Sequence, residues 1–244
     1  MQWIHEQRLR WMVDFVDPDP TRRRAARMRQ DRYLAQQRQA IDRQNALWWA
    51  NGQSYDFLDV PALRAEFDRH LAAQRSAGAH TIYSALHSFV DASWQVDQRA
   101  TFELLAPYAV LFLRWETDYP DEWRLSSGWG TKQQVLRSFI RVGAPESTRA
   151  DLIELVVQAV SRQHRCEDRW YAALARRVDG PELRAALGEC RESADKVVRL
   201  RAEYVLIVLD DAELPVTLAS WRSWLARSGS NVTAGPWPRS SGAD

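Results

Sequence analysis

Lysine is nearly missing from this chain, with Lys132 and Lys196 set against 31 arginines. The skew fits a GC-rich coding sequence. Its physical consequence is a surface of planar guanidinium groups, which pair with carboxylates and interfaces better than ammonium groups do. Cysteine is equally scarce. Cys166 and Cys190 have no C-x-x-C spacing, so neither a disulfide framework nor a zinc site is expected, and both read as buried thiols in a reducing compartment. Ten glycines and ten prolines in 244 residues are too little punctuation for many short strands. No apolar run reaches the length of a membrane span, and the first residues lack the charged-then-apolar pattern of a signal peptide, so a cytoplasmic protein is expected. The formal net charge of +1 provides no global field for capturing nucleic acid.

What is present is helical periodicity and tryptophan. Hydrophobic residues make up 45% and charged residues 27%, ordinary values for a globular chain, yet 12 residues are Trp. Tryptophan combines a large apolar area with one N–H donor, a combination enriched in deep cores and protein interfaces. Residues 1–58 read as an N-terminal helical arm. It consists of a short amphipathic piece stopped at Asp17-Pro18-Asp19-Pro20, then a very polar helix capped by Thr21 that runs to about Ala50. Residues 59–227 read as a helical bundle domain, and 228–244, rich in Ser, Gly and Pro, as a disordered tail.

Within the bundle, Asp59 is expected to cap a helix whose stripe is Leu63, Phe67, His70, Leu71 and Gln74, with Gly78 breaking it or allowing close contact. A second stripe is Ile82, Leu86, Phe89, Val90 and Trp94. Asp97 is expected to cap a third helix, which Pro107 should bend. A loop bearing Trp123 and Trp129 leads to a short helix around Val135–Ile140. Two long helices, about 148–178 and 181–209, follow as a hairpin around Asp179-Gly180-Pro181.

A carboxylate-bridged di-iron site needs E-x-x-H pairs, because three-residue spacing aims both side chains at one inner axis. The residues three before the five histidines are Gln2, Phe67, Ala77, Ser84 and Ser161, so the chain has no such pair. His80, His87 and Asp91 could share a helix face, but two turns between the histidines is too far for one ion, and satisfied or interfacial histidines are favoured. Asp210-Asp211-Ala212-Glu213 is similar to the aspartate-rich magnesium motif of helical terpene synthases. It lacks that group's second metal motif, so a helix terminus before Pro215 is preferred. The arginine-rich stretch 22–43 is diluted by Asp31 and Asp42 and reads as a solvated or partner-facing surface.

The C-terminal pattern carries a resemblance. A long helix ends in paired acids, and Trp221 follows Asp211 by ten residues and opens a helix with Trp224. Taken with the Leu63–Gly78 helix and Gln95, Asp97 and Arg99, residues 60–227 resemble the β (non-catalytic) hydroxylase subunit of bacterial multicomponent di-iron monooxygenases. Trp224 falls one residue before that family's usual slot, and the N-terminal arm is shorter. The resemblance implies a ferritin-like all-α fold with no catalytic, cofactor or metal residues of its own. It also implies a hetero-oligomer with a catalytic α subunit that holds the di-iron centre. Trp48, Trp49, His80, His87, Trp94 and Trp115 are the interface positions this reading singles out. The alternatives from other classes are a small magnesium-dependent terpene synthase-like enzyme using Asp210, Asp211 and Glu213, and a helical adaptor or nucleic-acid-binding protein. Neither a membrane nor nucleic acid is an expected partner under the leading reading.

Overall fold

The computed structural model describes residues 8–124, 128–163, 165 and 167–227. Every regular element among them is helical, with eleven α-helices, three 3-10 turns and no strand, so the protein is all-α as its periodicity predicts. No helix among the described residues is long and apolar enough to cross a membrane. The expected tail, 228–244, lies outside the described residues. The chain divides into two compact units, Met1–Ser88 and Phe89–Asp244. The arm boundary expected at 58/59 therefore falls inside the first unit.

The first unit is a helical hairpin. A 3-10 turn, Arg10–Val16, buries Trp11, Met12 and Phe15. Helix α1, Pro20–Ala50, follows it. Its N-cap is Asp19, whose carboxylate accepts from the Thr21 backbone N–H at 2.8 Å. Thr21 was expected in that role. The Asp-Pro step decides it, because the residue before a proline is held extended and Pro20 then starts the first turn. The positions of α1 that turn away from solvent are 23, 26, 27, 30, 33, 34, 37, 40, 41, 44, 47 and 48, a stripe that repeats every seven residues. That is the spacing of a coiled-coil seam, in which a slightly under-wound helix keeps one stripe on its partner.

The partner is α2, Pro61–Gly78, which runs antiparallel. Gln44 Nε2 donates to Gln74 Oε1 at 2.7 Å. One heptad back, the Gln37 amide lies so close to Gly78 that a Cβ there would meet it at 2.8 Å. Another heptad back, Gln30 Oε1 accepts from the backbone N–H of Ile82 at 3.2 Å, at the start of α3, Ile82–Ala92. Asp59 does not cap α2; it closes the 3-10 turn Asp56–Asp59, and Val60 holds the N-cap position.

The second unit is built on α4, Arg99–Asp118, with Pro107 inside it. Asp97 sits in a 3-10 turn ahead of α4, so Gln98, not Asp97, is its N-cap. Trp123, expected on a loop, is buried on a short helix, α5, Pro120–Arg124. Phe112 and Trp123 then press on Gly128, where a Cβ would come within 2.9 Å of both rings. Helix α6, Trp129–Val142, ends at Gly143, whose φ of +96° favours glycine. Phe89, Phe102 and Phe139 stack in the core, the first two with centroids 4.4 Å apart.

Each of the two long helices expected next is broken. The first becomes α7, Glu146–Ser161, and α8, Arg169–Ala175. The second becomes α9, Pro181–Arg191, and α10, Lys196–Asp210. The second break carries a local signal, because Asp195 caps α10 by accepting from the Val197 N–H at 2.7 Å. Helix α10 stops at Asp210, as the acidic motif predicts. Helix α11, Leu218–Arg227, then folds back to bury Trp221 and Trp224 against Tyr204, with Trp221 edge-on at 5.0 Å.

Candidate functional site

The break between α7 and α8 contains neither Gly nor Pro, so local propensity does not cause it. It positions charges. Arg162 and Arg165 leave the end of α7, Asp168 precedes α8, and all three converge on two residues of other helices: Glu116 on the last turn of α4, and Lys132 on the first turn of α6. Glu116 and Lys132 are both 0% exposed.

Lys132 Nζ lies 2.8 Å from Asp168 Oδ1 and 3.3 Å from Glu116 Oε2. Arg162 grips Asp168 with two nitrogens, at 2.8 and 2.9 Å, and reaches Glu116 at 3.1 Å. Arg165 Nη1 donates to the other Glu116 oxygen at 3.1 Å, while its backbone N–H donates to Asp168 at 2.8 Å. The rings of Trp129 and Tyr171 have centroids 5.6 and 5.5 Å from the ammonium, within range for cation–π attraction. Glu167, beside Asp168, has φ of +65°, a left-handed conformation that costs a non-glycine residue about 1–3 kcal/mol and collects at functional sites.

The field of this cluster reaches its neighbours. Burial works to lower the Arg162 pKa, but the carboxylates of Asp168 and Glu116 outweigh it and raise the value. Tyr171 is 2% exposed; burial first, then the negative charges of Glu116 and Asp168, push its phenol well above the ordinary range. Arg201, on α10, is lowered chiefly by burial, with Asp168 opposing.

No protein family, curated protein or solved structure matches this chain.

Chemically, the cluster is a saturated ion network. Its carboxylates are covered by cations, which rigidifies the helix break that holds it, and Arg162 Nε is left buried without a hydrogen-bond partner. Periodicity and motif reading missed it, because Glu116, Lys132 and Asp168 are dispersed along the chain. One signal was available: a lysine in the first turn of an apolar-striped helix, in a chain that otherwise uses arginine.

The residues singled out from sequence lie elsewhere and are not brought together. Trp48 is half-buried and Trp49 is 60% exposed, the two packed edge to face at 4.9 Å near the end of α1. His80 stacks on Tyr33 at 4.9 Å, its Nδ1 2.9 Å from the Ser76 carbonyl, while His87 and Asp91 are exposed. Trp94 is 67% exposed, with the Arg141 guanidinium 3.2 Å above its ring. Trp115 is 3% exposed, inside the core of α4. Asp210 accepts from Arg184 Nη1 at 2.7 Å, and Asp211 Oδ1 accepts from the Glu213 N–H at 3.0 Å. Among the described residues, no group of three or more His, Cys, Asp or Glu is arranged to hold a metal ion. Cys166 lies outside the described residues, and Cys190 is half-buried, 3.5 Å from Ser161 Oγ.

Proposed function

We propose that this chain is a non-catalytic helical subunit that binds and orders a partner polypeptide. In its specific form it is the scaffold subunit of a multicomponent di-iron monooxygenase hydroxylase. The observation that supports binding is the exposure of Trp49 and Trp94, one in each unit, where every other tryptophan among the described residues is buried or half-buried. Exposed tryptophan costs solubility and is the side chain most enriched at binding hot spots. Val96, two residues after Trp94, is a fully exposed valine.

The narrower reading rests on the C-terminal resemblance, which implies a ferritin-like arrangement for residues 59–227. In that reading the iron, the oxygen chemistry and the E-x-x-H pairs belong to the catalytic subunit, and this chain has no cofactor. Its guanidinium-rich surface suits an acidic or carboxylate-bearing partner face.

The test is mild purification of the chain from its native host, with identification of co-eluting chains and iron analysis. A larger helical partner with paired E-x-x-H motifs and iron, in fixed ratio to this chain, is the expected result. A lone monomer overturns subunit function altogether. A stoichiometric partner without iron removes the monooxygenase form and leaves the scaffold reading.

A further inference from the structure

Two indoles and three guanidiniums form a ladder in the second unit. The Arg141 guanidinium lies 3.2 Å over the ring of Trp94, which follows the end of α3. Arg137, one turn earlier on α6, lies 5.4 Å over the ring of Trp170 on α8, and Arg169 lies 5.3 Å over the same ring. Arginine suits such a ladder, because its planar head stacks on an aromatic face and keeps N–H donors at its edge.

The ladder is short of anions. Arg137 is exposed and makes no hydrogen bond or ion pair among the described residues. Arg141 spends one nitrogen on Ser93 Oγ at 2.6 Å and has no carboxylate partner among them. Burial first, then the charge of Arg137, lower its pKa, and no carboxylate offsets either. Asp91 and Asp97, exposed on either side of Trp94 in sequence, pair with neither arginine. Only Arg169 meets an anion, Glu167 Oε2 at 3.6 Å, and that oxygen already accepts from the Trp170 indole at 2.7 Å. Two uncompensated cations one helical turn apart thus adjoin an indole that is 67% exposed.

We propose that this face receives an extended acidic segment of the partner polypeptide, with two of its carboxylates on Arg137 and Arg141 and an apolar side chain on Trp94. This role rests on the chain's being a partner-binding subunit, and names the chemistry of what it binds. Carboxylates fit because the guanidinium edges are the donors left unused. An extended segment fits by spacing. Helix α6 rises about 6 Å from Arg137 to Arg141, and side chains on one face of a strand recur at about 6.6 Å. A single nucleic-acid strand fits less well. The net charge of +1 gives no field to draw in a phosphate backbone, and two arginines neutralise few phosphates.

The experiment titrates the full chain into a fluorescein-labelled nonapeptide, with glutamate at every second position and leucine and serine between, and reads anisotropy. The expected result is saturable binding that weakens as NaCl rises from about 50 to about 500 mM, because salt screens exposed charge pairs. Replacing the glutamates by glutamine should abolish it. Arg137→Gln removes a side chain that holds no hydrogen bond, so the fold stands, and should weaken binding about tenfold. Arg141→Lys keeps the charge but loses the planar fork, and should weaken binding too. Arg24→Gln, which removes an exposed charge from α1, should leave it unchanged. The inference is overturned if binding does not saturate, if the glutamine peptide binds as tightly, or if Arg24→Gln costs as much as Arg137→Gln. A short oligothymidylate that binds more tightly than the peptide also overturns it, in favour of a nucleic-acid surface. The titration uses no partner from the host, so the two readings fail separately. Peptide binding by a chain that is a lone monomer in its host keeps this face and removes the subunit role. A co-purifying partner without peptide binding does the opposite.

Discussion

Lys132 is one of two lysines in the chain, and its ammonium is wholly enclosed by two carboxylates and two aromatic rings. Its loss and the loss of its partners should nevertheless be unequal. Glu116→Gln leaves Lys132, Arg162 and Arg165 around Asp168 alone, adding to an existing positive excess. It should cost about 3–5 kcal/mol, the usual penalty for orphaning buried charge. Lys132→Met leaves two arginines against two carboxylates in an apolar space of similar length, and should cost clearly less. Urea unfolding of the two variants checks the order, and equal losses would refute the charge accounting. Tyr171 makes a second residue-scale prediction. The folded chain holds its phenolic proton more tightly than the unfolded chain, where tyrosine ionises near about pH 10. Protons are then released on unfolding, so stability falls as pH rises from that value toward the raised folded one. Tyr171→Phe should flatten this alkaline decline, read as urea midpoints at about pH 9 and about pH 10.5.

At the scale of elements, the hairpin of α1 and α2 is held by a seam in which glutamine takes one position of each of three successive heptads. Gln30, Gln37 and Gln44 recur every seven residues, with Ala26, Tyr33, Ala40 and Leu47 between them. Polar residues in such a seam fix register at a cost in stability. Gln74→Leu alone should destabilise the hairpin by about 1 kcal/mol, because the Gln44 amide loses its 2.7 Å acceptor and keeps only the longer bond to the Ala40 carbonyl at 3.4 Å. Gln44→Leu with Gln74→Leu should recover that loss or exceed it, since apolar residues replace both ends of the bond. Thermal denaturation of the two variants decides the matter, and a double variant no better than the single would refute it. This seam was legible in the sequence but went unread, because a search for apolar stripes passes over glutamine; α1 therefore read as a solvated arm. The α2 stripe, the end of α10 at Asp210 and the closing tryptophan helix were all read correctly, since each rests on local spacing. The break between α7 and α8 was not legible, because its cause is the pull of Glu116 and Lys132, distant in sequence, on Arg162, Arg165 and Asp168. The same dispersal hid the ion cluster.

For the whole molecule, the question is whether stability and binding sit on separate residues. The ion cluster, the Phe89–Phe102–Phe139 core and the Tyr204–Trp221–Trp224 cluster hold the second unit together, and the glutamine seam holds the first. Trp49 and Trp94 belong to none of these. Trp49 touches Trp48 edge-on, and Trp94 carries the Arg141 guanidinium, each contact worth about 0.5–1.5 kcal/mol at most. Trp49→Ser and Trp94→Ser should therefore lower stability by no more than about 1.5 kcal/mol each, while an interface hot spot loses about 2 kcal/mol or more, about thirtyfold in affinity. Trp115→Ser should do the reverse, costing several kcal/mol of stability through a core void, as about 3–5 kcal/mol is typical for a buried tryptophan. Urea midpoints beside the partner yield from the native host, measured for the three variants, separate the roles. If Trp49→Ser and Trp94→Ser bind the partner as the unaltered chain does, the exposed tryptophans are not its contact. The scaffold reading would then lose the surface on which it stands.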